Sequence, residues 1–280
     1  MFTTPLITPT HASMLVGSHD VVFVDARFRL SDTDYGRRAH AEGHIPGAVY
    51  ADLDADLSGP IVAGQTSRHP LPDVDVLAQT LGRWGIADGV QVVVYDDLGG
   101  AIASRLWWML HWLGHEAVAV LDGGWPHWVA GAFPTTDAPT QPTARAFHPH
   151  EQPHLCASMP EVQRRLGDPA LCLIDARAPQ RYAGLEEPLD PVAGHIPGAT
   201  NRFFKDHLDA DGAFHPPETL RQRFADLNDA YEVICYCGSG VTAAHNALAM
   251  VHAGLPMPRL YAGSWSEWIT EPANPVASVA

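Results

Sequence analysis

The sequence predicts an α/β protein built from one domain used twice, each copy a mainly parallel sheet flanked by helices. Three observations predict it: motifs that recur in the same order, short apolar runs without alternation, and helix-patterned stretches between them. The first half of the 280-residue chain reads VVFVDAR (Val21 to Arg27), GHIPGA (Gly43 to Ala48), VVVYD (Val92 to Asp96) and DGGWPHW (Asp122 to Trp128). The second half answers with LCLIDAR (Leu171 to Arg177), GHIPGA (Gly194 to Ala199), VICYC (Val233 to Cys237) and AGSWSEW (Ala262 to Trp268). Asp25 and Asp175, Gly43 and Gly194, Asp96 and Cys237, and Trp125 and Trp265 stand 150, 151, 141 and 140 residues apart. Four ordered landmarks at a near-constant offset mark a duplicated domain, because a solenoid needs shorter and more numerous repeats.

Within each copy, Val21 to Val24, Val92 to Tyr95, Leu171 to Ile174 and Val233 to Tyr236 are continuous apolar runs, the pattern of strands buried on both faces. Pro72 to Trp84 spaces Val74, Leu77, Leu81 and Trp84 along one helix face. Ala101 to Leu113 and Val241 to His252 each follow a strand after a glycine-containing turn and read as helices. Such alternation gives a parallel sheet covered on both sides. Between the copies, Phe133 to Pro153 holds five prolines and little apolar periodicity, the pattern of an irregular linker. The expected division is therefore residues 1–135, a linker over 136–155, and 156–280.

Composition narrows the function. Lys and Arg number 17 against 32 Asp and Glu, a net charge of −15 that repels phosphate backbones and anionic headgroups. Nucleic acid and membrane surfaces are excluded as expected partners. No apolar run reaches the roughly 18 residues of a membrane span, and no Lys or Arg precedes Arg27, so the charged start of a secretory signal is missing. The expectation is a soluble cytoplasmic protein. Four cysteines, Cys156, Cys172, Cys235 and Cys237, are too few for a disulfide scaffold and lack paired metal-ligand spacing.

One of these cysteines stands where chemistry is expected. Cys237 closes a buried strand and opens the turn Gly238-Ser239-Gly240-Val241-Thr242 into a helix, and ligands of parallel sheets bind at that edge. The two glycines let successive N–H groups turn inward, beside the positive end of the following helix. A thiol at the centre of this anion cradle has a depressed pKa and serves as a nucleophile. Cys235, two residues earlier, points the same way one step deeper and reads as core; Cys156 and Cys172 take no role. A cysteine phosphatase needs an arginine six residues after the cysteine, where this chain has Ala243. His245 stands too far down the helix for a Cys-His protease pair. Asp25, Asp175 and the HIPG turns read as ties between loops and strand ends, and the tryptophans as core.

The repeated DAR and GHIPGA motifs, with CGSGVT in the second copy alone and DGGW or GSWSEW after it, resemble the tandem-domain rhodanese sulfurtransferases, which act on thiosulfate or 3-mercaptopyruvate. The resemblance spans nearly the whole chain and implies two tandem rhodanese-like domains, with the active pocket between them. It implies that the first, carrying Asp96 in place of Cys237, is catalytically silent. It further implies that Cys237 takes a sulfane sulfur as a persulfide and passes it to a thiophilic acceptor such as cyanide, a small thiol or thioredoxin. No metal and no organic cofactor is implied. Loops of the CGSGVT form are typical of the mercaptopyruvate enzymes, in which the loop serine works with a His and an Asp; the matching positions are Ser239, His69 and Asp54. Arg181 matches a substrate-binding arginine, and Gly238, Gly240, Val241 and Thr242 the loop that surrounds the sulfur. Where the mercaptopyruvate enzymes carry a second substrate arginine, nine residues on, this chain has Asp190. A non-enzymatic persulfide carrier or sulfur-relay protein is the alternative; it would load sulfur but turn over poorly with small acceptors.

Overall fold

The structure, a computed structural model, describes residues 4–227 and 232–279. The chain forms two compact units: Met1–Gly59 with Leu71–Gln152 and Asp209–Phe214, and Pro60–Pro70 with Pro153–Leu208 and His215–Ala280. Residues 60–70 lie inside the first sequence repeat yet pack with the second unit. They are fastened there by the Arg68 N–H, which donates to Ser266 Oγ (3.2 Å), and by an ion pair between Arg68 and Asp190.

The first unit holds strands β1 (Leu6–Ile7), β2 (Val21–Asp25), β3 (Val49–Tyr50), β4 (Gln91–Tyr95) and β5 (Val118–Leu121) in the order β1-β5-β4-β2-β3. Every neighbouring pair is parallel, with Phe23 opposite Val93 and Val93 opposite Ala119. The second unit holds β6 (Leu171–Asp175), β7 (Thr200–Asn201), β8 (Glu232–Tyr236) and β9 (Arg259–Leu260) in the parallel order β7-β6-β8-β9. Here a single parallel bridge from Cys156 to Leu260 stands in the place of β1. The apolar runs of the sequence thus form the central strands, and the two-residue strands at the sheet edges are too short to leave a pattern.

The expected helices form at Val74–Arg83, Ala103–Trp112 and Ala243–His252. The first is capped by Asp73, whose carboxylate accepts from the N–H groups of Asp75 and Val76. Helix Ala243–His252 is buried along nearly its whole length, as its Ala-rich sequence permits. Among the described residues no helix is long and apolar enough to cross a membrane.

In both units the repeated motifs build one frame. Asp25 ends β2 with a buried side chain, and Arg27 straddles its carboxylate through Nε (2.9 Å) and Nη2 (2.5 Å). The same Nη2 donates to the Gly43 carbonyl (2.6 Å), fixing the GHIPGA turn, and the Ile45 N–H donates to the Tyr95 hydroxyl (3.3 Å). In the second unit Arg177 spans Asp175 through Nε (3.1 Å) and Nη2 (2.7 Å), reaches the Gly194 carbonyl (2.7 Å), and the Ile196 N–H donates to the Tyr236 hydroxyl (3.1 Å). Each arginine lies over a tryptophan of the last landmark, Arg27 on Trp125 at 4.5 Å and Arg177 on Trp265 at 4.8 Å. The strand end, the turn and the later helix are therefore held by one buried guanidinium.

Removing one partner of a buried ion pair leaves an uncompensated charge and costs about 3–5 kcal/mol. Asp25→Ala is expected to destabilise the protein by about that amount in denaturant titration, and a loss below about 1 kcal/mol would show that the frame carries little of the stability.

Candidate active site

Cys237 follows β8 directly, at the carboxyl edge of the second sheet, and is 2% exposed. The backbone curls around it: the Gly240 N–H donates to Sγ (3.2 Å). Gly240 has φ +79°, and a Cβ there would stand 2.3 Å from the Ala262 carbonyl oxygen, so only glycine fits. Burial pushes the Cys237 thiol up, but the Thr242 hydroxyl and the N–H groups of Ser239, Ala243 and Gly240 outweigh it and hold the thiol below its ordinary range. Cys235 differs: it is fully enclosed in β8, and burial drives its pKa well up. Val241, 6% exposed, closes the loop before the helix.

A second segment clamps the loop from outside. The N–H groups of Trp265 and Ser266 donate to the carbonyls of Cys237 (3.0 Å) and Gly238 (2.9 Å), and the Cys237 N–H donates to Ser264 Oγ (3.0 Å). Ser264 is buried with φ +56°, a conformation that costs a non-glycine residue about 1–3 kcal/mol. At the corresponding position of the first repeat Gly124 adopts φ +57°. The serine is thus held in a glycine conformation where its hydroxyl meets the Cys237 N–H, a feature visible in sequence only as GGW changed to GSW.

Beside the loop lies an ordered group of charges. Arg181 donates through Nε and Nη2 to Glu187 (3.1 and 2.7 Å) and through Nη2 to Asp190 (3.2 Å). Glu187 also pairs with Arg177 (3.3 Å) and accepts from the N–H groups of Leu189 (3.1 Å) and Asp190 (3.2 Å). A Cβ built on Gly238 would stand 2.8 Å from Arg68 Nη2 and 3.5 Å from both Nη atoms of Arg181, so two guanidiniums face the residue after Cys237. Arg68 is a residue that sequence reasoning did not single out.

Ser239 and His69 meet in the same unit, with Ser239 Oγ 2.8 Å from His69 Nδ1 and both side chains buried. Asp54 belongs to the first unit, in the turn after β3, where its N–H donates to Asp52 Oδ1 (3.0 Å). Burial and the neighbouring Asp52 raise its pKa. The structure therefore gathers Cys237, Gly238, Ser239, Gly240, Val241, Thr242, His69 and Arg181 in one unit, and Asp54 in the other.

The first unit carries the same cradle with a different occupant. Asp96 follows β4, and its carboxylate accepts from the N–H groups of Leu98 (2.8 Å), Gly100 (2.9 Å), Ile102 (2.7 Å) and Ala103 (2.8 Å). Burial pushes its carboxyl up against the pull of those four donors. Where the second unit offers a thiol to its N–H groups, the first fills them with its own carboxylate.

The rhodanese-like domain family matches the chain twice, over residues 8–131 and 158–271. A probable 3-mercaptopyruvate sulfurtransferase of Pseudomonas aeruginosa is 48% identical over 99% of this chain and 99% of its own. The thiosulfate sulfurtransferase of mouse (Mus musculus) is 35% identical over 88% of this chain and 84% of its own. The crystal structure of SseA from Escherichia coli, described as a 3-mercaptopyruvate sulfotransferase, superposes with a TM-score of 0.82 at 29% identity, covering 95% of this chain and 100% of that one.

A hydrogen bond to an ionised group contributes about 1.5–3 kcal/mol, and each 1.36 kcal/mol is one pKa unit. Thr242→Val is expected to raise the pH at which Cys237 ionises, read from the pH dependence of thiolate ultraviolet absorbance with Cys237→Ser as blank. An unmoved titration would remove Thr242 from the thiolate's support.

Proposed function

This chain belongs to the rhodanese family, duplicated within one polypeptide, and is a sulfurtransferase; we propose that Cys237 is its sulfur carrier and 3-mercaptopyruvate its preferred donor over thiosulfate. The observation that carries the reading is the buried Cys237 thiol, drawn below its ordinary range by the N–H groups and hydroxyl of its own loop. A sulfur atom added to it as a persulfide extends the anion by one atom within reach of the same preorganised donors.

With 3-mercaptopyruvate, the Cys237 thiolate attacks the donor sulfur, an S–S bond forms, and the C–S bond breaks with its electron pair left as the enolate of pyruvate. The proton of the donor thiol must reach the enolate carbon. Ser239 and His69, with Oγ 2.8 Å from Nδ1, are the buried pair positioned to manage that proton. With thiosulfate, the S–S bond breaks and its electron pair leaves on sulfite, with no proton to move. The Ser239–His69 pair therefore has work to do only for the keto-acid donor, and this supports the preference.

Arg181, whose Nη1 faces Gly238, takes the donor's carboxylate. The acceptor is a small thiophile, cyanide or a thiol, or a thioredoxin-like protein thiol that takes the outer sulfur. The first unit carries no sulfur, because Asp96 already satisfies its cradle.

In intact-mass analysis the reduced protein is expected to gain one sulfur on brief exposure to 3-mercaptopyruvate, and Cys237→Ser none; loading of the variant would refute Cys237 as the carrier. General acid–base steps contribute about 10²-fold or more. Ser239→Ala should therefore slow loading from 3-mercaptopyruvate by about that factor while leaving thiosulfate within about threefold. Equal losses on both donors would remove the proton-handling role.

A further inference from the structure

Two positively charged side chains from distant parts of the chain converge on one point, and a single buried carboxylate sets the distance between them. Asp190 has a side chain 3% exposed, and its two oxygens are divided: Oδ1 accepts from Arg68 Nη1, and Oδ2 from Arg181 Nη2 (3.2 Å). Its own N–H donates to Glu187 Oε1, so the carboxylate is oriented from behind. Among the described residues Arg181 uses Nε and Nη2 on Glu187 and Asp190 and not Nη1, and Arg68 uses Nη1 on Asp190 and not Nη2. The unused nitrogens are among those that come nearest Gly238, at 2.8 Å for Arg68 and 3.5 Å for Arg181 from where a Cβ would stand. Arg68 is tied to the nucleophile's loop a second way: its N–H donates to Ser266 Oγ, and the Ser266 N–H donates to the Gly238 carbonyl.

We propose that Arg68 is a second donor-binding guanidinium, which together with Arg181 grips the oxyanionic end of the sulfur donor above Gly238, and that Asp190 is the positioning residue that spaces the two. The inference rests on Cys237 being the sulfur acceptor. Its chemistry follows from the donors left over. Nη2 of Arg68 and Nη1 of Arg181 present N–H groups from two directions beside the residue that follows the attacking sulfur, which suits a group with two or three oxygens, a carboxylate or a sulfonate-like head. Gly238 is required beneath them, since any side chain there would occupy the anion's place. Asp190 does not compete for that anion, because its oxygens are spent on the other nitrogens of the two arginines.

The test is equilibrium binding of 3-mercaptopyruvate and of thiosulfate to Cys237→Ser, which cannot take the sulfur, with and without Arg68→Ala, followed by tryptophan fluorescence or calorimetry. Losing one charged hydrogen-bonding partner is expected to weaken binding about 10- to 100-fold. Weakening for both donors supports a general oxyanion clamp; weakening for one supports the clamp and names the carboxylate or the sulfonate as its ligand. Unchanged affinity for both donors overturns the proposal. In the enzyme with Cys237 intact, Arg68→Ala and Asp190→Asn should raise KM by a similar factor and leave the loading rate at saturating donor within about threefold, a split that general loosening of the loop would not give. Should Arg68→Ala lower Tm markedly, Arg68→Gln, which keeps an amide for Asp190, carries the same expectation. Failure of the unmutated protein to load sulfur from either donor would instead defeat the reading of Cys237 itself, and is seen separately in the mass of that protein.

Discussion

A curl of backbone N–H groups at the carboxyl edge of a parallel sheet must be given an acceptor, and both units of this protein are organised around that need. Buried amide donors without partners cost about 1–3 kcal/mol each. In the first unit the cost is met by Asp96, whose two oxygens take four N–H groups. In the second the same curl converges on Cys237, and its donors draw the thiol below its ordinary range. A change of one side chain at a fixed backbone position replaces a carboxylate that fills its cradle with a thiol held below its ordinary range.

The cradle holds its shape because it is clamped from the side opposite the sheet. Trp265 and Ser266 supply N–H groups to the loop carbonyls, and Ser264 receives the Cys237 N–H. The left-handed φ of Ser264 is strain that the glycine of the first repeat avoids, and it persists where the hydroxyl meets the Cys237 N–H. Behind the clamp, Arg177 joins Asp175, the Gly194 carbonyl and the Trp265 ring, so that strand end, turn and helix cannot shift independently. Rigidity of this kind lets hydrogen-bond donors act on a developing charge without first reorganising.

The charges around the loop follow one rule: carboxylates hold arginines by some nitrogens and leave others facing Gly238. Glu187 serves Arg177 and Arg181, and Asp190 serves Arg181 and Arg68. Asp190 looks in sequence like a lost arginine, an acid where the mercaptopyruvate enzymes carry a base. In three dimensions it is bound to two arginines, one of them 122 residues away in the chain. The charge of the acid is shared between two guanidiniums.

The duplication, the parallel α/β class, the central strands and the glycine turn after Cys237 were all legible in the sequence. Each is written in contiguous residues: apolar runs, helical spacing, and a cysteine followed by a glycine turn. Two-residue edge strands such as β1 and β9 were not, because they owe their conformation to the neighbour they pair with. Nor were the membership of residues 60–70 in the second unit, the approach of Arg68 to Gly238, or the left-handed serine at 264. The sequence by itself determined which backbone would curl and what side chain would stand at its centre, since turn chemistry and periodicity act over a few residues. Only the tertiary structure decided which charges surround that centre, because convergence of residues 68, 181, 190 and 238 depends on packing between segments whose separation along the chain carries no signal.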